Sequence, residues 1–312
     1  MKISATDQTG TIHILGDILS LEIDARLDVP ADTLSLTAAL TKTVPEFVSV
    51  KAEEGTTVIF TGLVDEQRIS VSSPGGSRLT LRARSMAALL LDNECPPGIY
   101  AGPLFSDLFG RFARPLGITS FSFADKRLSG QFTIEKGESV WQVLERAALA
   151  TLGRRLRIDE TGRLCALSPS AKSYTFGPAG QACLSAEMVT RRHKPISEVV
   201  TVDEHTQSYS LNFLNYGLIP RKISRRRYVR FFGQTAAQKA ASAAAYMKQS
   251  GNNTRVYELK IPGIVRFDFG AQASVSCGII SAAGLRVCRL SHIAGKDGAY
   301  TIASLWPNDD IF

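Results

Sequence analysis

Reactive side chains are scarce in this 312-residue chain, which holds four histidines, five cysteines and two tryptophans. The cysteines (Cys95, Cys165, Cys183, Cys277 and Cys288) are odd in number, widely spaced and without a C-x-x-C pair. That spacing argues against a disulfide framework or a cysteine-type zinc site. Cys165 and Cys288 stand among apolar neighbours and read as small core residues. The histidines (His13, His193, His205 and His292) have no i,i+4 partner, so no helix presents two of them to one metal. Nucleophile elbows, Walker loops and dinucleotide fingerprints are absent. No apolar run approaches the roughly eighteen residues needed to cross a bilayer. The longest, Ala236 to Met247, is broken by Gln238, Lys239 and Ser242. The N-terminus lacks a signal-like apolar stretch. A soluble, cytoplasmically made protein with no membrane binding of its own is expected.

Two acidic groups invite a catalytic reading and do not sustain it. Glu135 and Glu138 flank a helix start, where carboxylates are favoured by the helix dipole. His205 stands beside Asp203 and Glu204, but neighbours on a strand point to opposite faces and cannot converge on one metal. Asp309-Asp310 reads as a solvated tail. No catalytic residue, metal site or cofactor site is expected, and the chain reads as a non-enzyme.

At 312 residues the chain exceeds one ordinary core. The first 88 residues read as strands. From Leu19 to Val29, apolar and polar residues alternate over eleven positions, the period of a strand with one wet face. Val58 to Val64 and Arg78 to Arg84 follow. The pattern turns helical near Ser85 and Pro103, and again at Ser139, where Ser139 and Gln142 make a capping pair and Gly153 stops the helix. A hairpin surrounds Asp159-Glu160-Thr161-Gly162. Ser168 to Gly180 reads as a linker. Beyond it come a basic segment, an Ala-rich helix over 235–250, and strands ending in a hairpin at Gly295-Lys296-Asp297-Gly298.

The fold class expected is therefore a β-dominated α+β protein: two small β-barrel-like domains at 1–88 and 171–312, with an α+β domain at 89–170 between them. No fixed-period repeat is visible, though the two β domains could be distant copies of one barrel.

The net charge of +7 is unevenly placed. Between Met188 and Phe232, nine Lys or Arg face three acids, leaving the remainder nearly neutral. The densest run, Arg221 to Phe232, reads as an alternating strand with Arg226, Tyr228, Arg230 and Phe232 on one face. Arg225, Arg226, Arg227, Tyr228 and Arg230 are the candidate interface residues, because Arg suits ion pairs between proteins. The same cations and aromatics also suit phosphates and bases, so a nucleic-acid-binding protein using segment 221–232 is the alternative.

Four stretches carry a family likeness: Phe60 to Asp65 with Leu79 to Ser85 and Leu89 to Asp92; Pro103-Leu104-Phe105 through Ile118; Lys136 to Trp141 with Leu144 to Arg146 and Asp159 to Leu164; and the Ala-rich helix followed by Cys288 to His292 and Gly298 to Ile302. In these the chain resembles the baseplate hub proteins of contractile-tailed bacteriophages and prophages, the group around the Mu-type hub and the late control protein D family. The resemblance implies a structural virion protein of the tail baseplate, a homotrimeric ring that joins the tail tube to a central spike. Its implied partners are copies of itself, the spike protein, and tail-tube or other baseplate proteins, with DNA only as passing cargo.

Overall fold

A computed structural model describes residues 1–307 apart from 74, 169, 204, 232–234, 252–253 and 297. Glu204, Phe232, Asp297 and the Asp309-Asp310 pair lie outside the described residues. The fold is β-rich α+β, as the alternation in sequence predicts. The first module contains β1 (Lys2–Asp7), β2 (Ile12–Leu15), β3 (Ile18–Arg26), β4 (Thr33–Leu40), β5 (Phe47–Glu54), β6 (Thr57–Ser72) and β7 (Gly76–Ser85). Alternation does what it should in β3: Leu21, Ile23 and Ala25 are buried while the residues between them face water. Leu19 and Val29, the ends of the alternating run, are exposed. Ile3, Leu34, Leu36, Val50, Phe60, Leu79 and Leu81 complete the core of this module.

The middle unit holds α1 (Ala87–Asp92), β8 (Gly98–Ala101), α2 (Phe105–Phe112), β9 (Gln131–Ile134), α3 (Val140–Leu152), β10 (Leu156–Ile158) and β11 (Leu164–Ala166). Ser139 and Gln142 cap α3 reciprocally at 3.2 and 2.8 Å, and Gly153 ends it in the left-handed conformation at φ 65°. Phe105, Phe109, Phe121 and Phe123 meet edge-on or tilted at the centre of the unit, with centroids 4.8 to 5.2 Å apart. Glu138 accepts from the Glu135 backbone N–H at 2.8 Å and pairs with Arg146 at 2.7 Å. This carboxylate closes the turn before α3 and holds a cation of that helix.

The last segment contains β12 (Ser173–Phe176), β13 (Ser185–Thr190), β14 (Glu198–Asp203), β15 (Ser208–Leu214), β16 (Arg226–Tyr228), α4 (Ala236–Gly251), β17 (Arg255–Pro262), β18 (Gln272–Cys277), β19 (Ile280–Gly295) and β20 (Gly298–Pro307). The stretch expected to be a linker, 168–180, is not slack. Its β12 pairs in parallel with β18, and Phe176 is fully buried. Between β13 and β17, strands β15-β14-β16 form a separate small sheet against α4, with Ile196, Val199, Ala243 and Met247 as its core.

Among the described residues, thirteen strands form one sheet that passes through both β modules. Its two halves repeat one order of neighbours, and differ in the outermost strand, which is antiparallel to its neighbour in the first (β1 with β5) and parallel in the second (β12 with β18). In the first, neighbours run β3-β4-β7-β6-β5-β1, and in the second β13-β17-β20-β19-β18-β12. The strands correspond in the same chain order, with β14 to β16 and α4 inserted between the counterparts of β3 and β4. Both long strands, β6 and β19, have 16 residues. Each carries a bulge at the matching place against its hairpin partner, between Val64 and Glu66 in one and Val287 and Arg289 in the other. The halves join where β3 pairs antiparallel with the second half of β19, from Arg26 opposite Arg289 to Ser20 opposite Gly295.

Candidate assembly surface

The basic segment enters its sheet only briefly. Of the strand expected over Lys222 to Phe232, the described residues form only β16, three residues paired in parallel with β14. Upstream, Arg225 spends its charge locally: Nη1 donates to the carbonyls of His193 at 2.6 Å and Lys194 at 2.5 Å. Its backbone N–H donates to Ser197 Oγ at 2.7 Å. Arg225 is therefore a tie that holds the segment to the loop before β14. Downstream, Val229 and Phe231 turn inward onto the core of the insert.

Between those anchors Arg226, Arg227 and Tyr228 are all exposed, and so is Arg230. The Arg226 Nε donates to Glu198 at 2.7 Å; Tyr228 is 60% exposed and meets Tyr209 edge-on at 5.6 Å. The structure thus gathers Arg226, Arg227, Tyr228 and Tyr209 on the outside of the insert. Tyr209 lies on β15, next to β14; sequence alone offered no signal that it would join them. His205 takes no part, and its backbone N–H donates to Asp203 at 3.0 Å in a tight turn.

The seam between the two modules is held differently. Arg289 donates to Asp24 at 2.5 Å across it, and Ser291 donates to Glu22 at 3.4 Å. On the inner face lies His292, 5% exposed and opposite Ile23 and Thr301. The Thr301 hydroxyl gives its one proton to the Gly263 carbonyl at 2.9 Å and accepts from the Val265 N–H at 2.9 Å. His292 Nδ1, 3.1 Å away, therefore carries a proton and donates to Thr301 Oγ1. Burial, helped by nearby Arg266, pushes the His292 imidazolium pKa down to about 4.

Ion pairs fasten the middle unit to both modules. Arg84 grips Asp65 on β6 at 2.7 Å and Asp92 of α1 at 2.7 Å. Arg157 on β10 reaches Asp32 at 2.7 Å and lies over the Phe269 ring at 4.2 Å. Glu160 bonds Arg266 at 3.1 Å. An open groove over β3, β4, β6 and β7 is lined by Glu22, Asp24, Asp65, Glu66, Arg82 and Arg84. Arg82 pairs with Glu66, Arg84 with Asp65 and Asp24 with Arg289, while Glu22 accepts from Ser291, so the groove reads as the wet face of the sheet.

No family profile matches the sequence, and no curated protein matches it either. Solved structures do. The chain superimposes on a tail protein from Neisseria meningitidis MC58 with a TM-score of 0.73 at 20% identity, covering 99% of this chain and 98% of that one. The 43 kDa tail protein of prophage MuSo2 from Shewanella oneidensis gives a TM-score of 0.78 at 16% identity, with the same coverage. A type VI secretion component of E. coli, described as similar to T4 tail proteins gp27 and gp5, gives 0.56 at 11% identity over 95% of this chain and 75% of that one. Over nearly its whole length, the chain has the fold of phage and prophage tail proteins.

Proposed function

We propose that the chain is a structural component of a contractile tail, acting as the baseplate hub adaptor between tail tube and central spike. Three copies make a ring. The observation that carries this reading is the repeated strand plan, with its two halves joined edge to edge through β3 and β19. Three copies of a twofold-repeated chain present six similar β modules, a fit to a sixfold tube. The middle unit and the insert occur once per chain, so they present three copies, a fit to a threefold spike. An adaptor of this kind works through broad protein surfaces rather than a reactive group.

Arg226, Arg227, Tyr228 and Arg230 form the surface for an acidic neighbouring tail protein. Their charge stands outside the main sheet, where it steers and orients a partner without entering the sheet contacts. Purified tail particles test the function: the chain is expected there at the same copy number as the spike protein. Absence from intact particles overturns the reading.

A further inference from the structure

The sheet seam inside the chain has an unfilled counterpart. β19 is paired with β20 along one side; along the other its first half meets β18 and its second half meets β3. The matching strand β6 is paired with β7 along one side and with β5 from Thr57 to Leu63 along the other. Among the described residues no strand continues past Leu63 on that side; the Gln67 side chain there accepts from the Phe47 N–H and donates to the Pro45 carbonyl, both at 2.8 Å, while the backbone from Glu66 to Ser72 offers an open edge. β13, the counterpart of β3, is paired among the described residues with β17 alone. Each half of the chain therefore has one half of the seam left over, and the two leftovers are complementary in kind.

We propose that β13 of a second copy of this chain adds antiparallel to residues 66–72 of β6, repeating between chains the contact that β3 and β19 make within one. The inference rests on the ring reading above and names the surface that closes the ring.

The register follows from the strands themselves. The row Ser20-Thr37-Thr80-Arg68 across the first module matches the row Ser185-Lys260-Ile302-Ser291 across the second. Transferring the β3–β19 register residue by residue sets Ile69 opposite Met188, Val71 opposite Ala186 and Glu66 opposite Arg191. Chemistry agrees with that transfer. Ile69 and Met188 are 48% and 49% exposed, and Val71 is 77% exposed. Ile69 lies opposite buried Leu79, and Met188 opposite buried Tyr257. Each is the last member of a core row whose sheet stops one strand short. Pairing them continues both cores, as Ile23 and His292 do inside the chain. Open apolar edges are otherwise an aggregation hazard, and a head-to-tail contact of this kind closes a ring when its rotation allows.

Two variants of the full chain test the surface. With Ile69→Cys and Met188→Cys in one chain, mild oxidation is expected to give a disulfide between chains, found by mass spectrometry as a 69–188 linked peptide. In the second test, Met188→Lys is expected to replace the assembled species by single chains, and adding Ile69→Glu to restore it. A trimer that forms without the 69–188 link, and that ignores Met188→Lys, overturns this seam while leaving the ring standing. Single chains in the unaltered protein overturn the ring as well. Because both side chains are half exposed, the substitutions leave the fold of each copy intact, which the circular dichroism spectrum checks.

Discussion

Arg157 and Asp32 stand 125 residues apart in sequence and meet at 2.7 Å, with side chains only 9% and 6% exposed. One comes from the middle unit and the other from the link between β3 and β4, so the pair locks those two bodies together. Burial pushes the Asp32 pKa up to about 6, against the pull of Arg157. Geometry and titration thus pull apart: two hydrogen bonds from Arg157 favour the carboxylate, while loss of water disfavours it. With Arg157 present we take the ionised pair as the form at neutral pH, since about 6 still lies below 7.

Removing the cation exposes that tension. Arg157→Ala leaves a buried carboxylate without its main partner, which costs roughly 3–5 kcal/mol for a buried pair. A folded pKa above the unfolded one means stability is lost as pH rises through the folded value. Urea unfolding should therefore show the variant's deficit larger at pH 7.5 than at pH 5. An equal deficit at both pH values would contradict the burial account.

His292 works in the opposite sense. Its folded pKa of about 4 lies below the ordinary value of 6.5, so the unfolded chain takes up the proton first. Its contribution is whole above pH 6.5 and falls away as pH drops toward 4, by about 3 kcal/mol in all. Because Asp32 gains over a similar range, the test is a difference between proteins. His292→Gln should lose less stability than the parent between pH 7 and pH 4.5, and parallel curves would refute the assignment.

Gly62 on β6 has no room for a side chain. A Cβ there would run into the Arg84 carbonyl oxygen of the paired strand and the Phe60 ring. Gly62→Ala should destabilise the first module by about 1–3 kcal/mol, the usual cost of overpacking, seen as a lower denaturant midpoint. A neutral outcome would mean that β6 and β7 are more loosely held than their ladder indicates.

Arg227→Glu reverses a charge on the outer face of the insert without touching its core. The expected result is normal assembly of copies with weaker, less salt-sensitive capture of the acidic tail partner. Salt-dependent DNA binding that disappears in the same variant would favour the nucleic-acid reading instead.

How much could be read in advance depended on how local the cause was. The alternation of β3, the capping pair of α3 and the stop at Gly153 are fixed by residues a few positions apart, and they form as read. The strand expected at Lys222 to Phe232 shrinks to three residues because Arg225 is drawn to the carbonyls of His193 and Lys194, a contact alternation does not encode. The burial of Phe176 in the supposed linker depends on β18, nearly a hundred residues later in the chain. The sequence allowed the two β domains to be distant copies but did not show their shared strand order, which is preserved in pairing and bulge position rather than in residue identity: β6 and β19 share a length and a kink, not a sequence. Of the surface residues, the arginines announced themselves by charge. Tyr209, Ile69 and Met188 matter through edges that only the folded sheet defines.

Whether copies of this chain close into a ring is decided by native mass spectrometry of the purified protein near neutral pH and low salt. A ring of three gives a species at three times the mass of one chain. A stable dimer, or single chains at every concentration, rules the ring out.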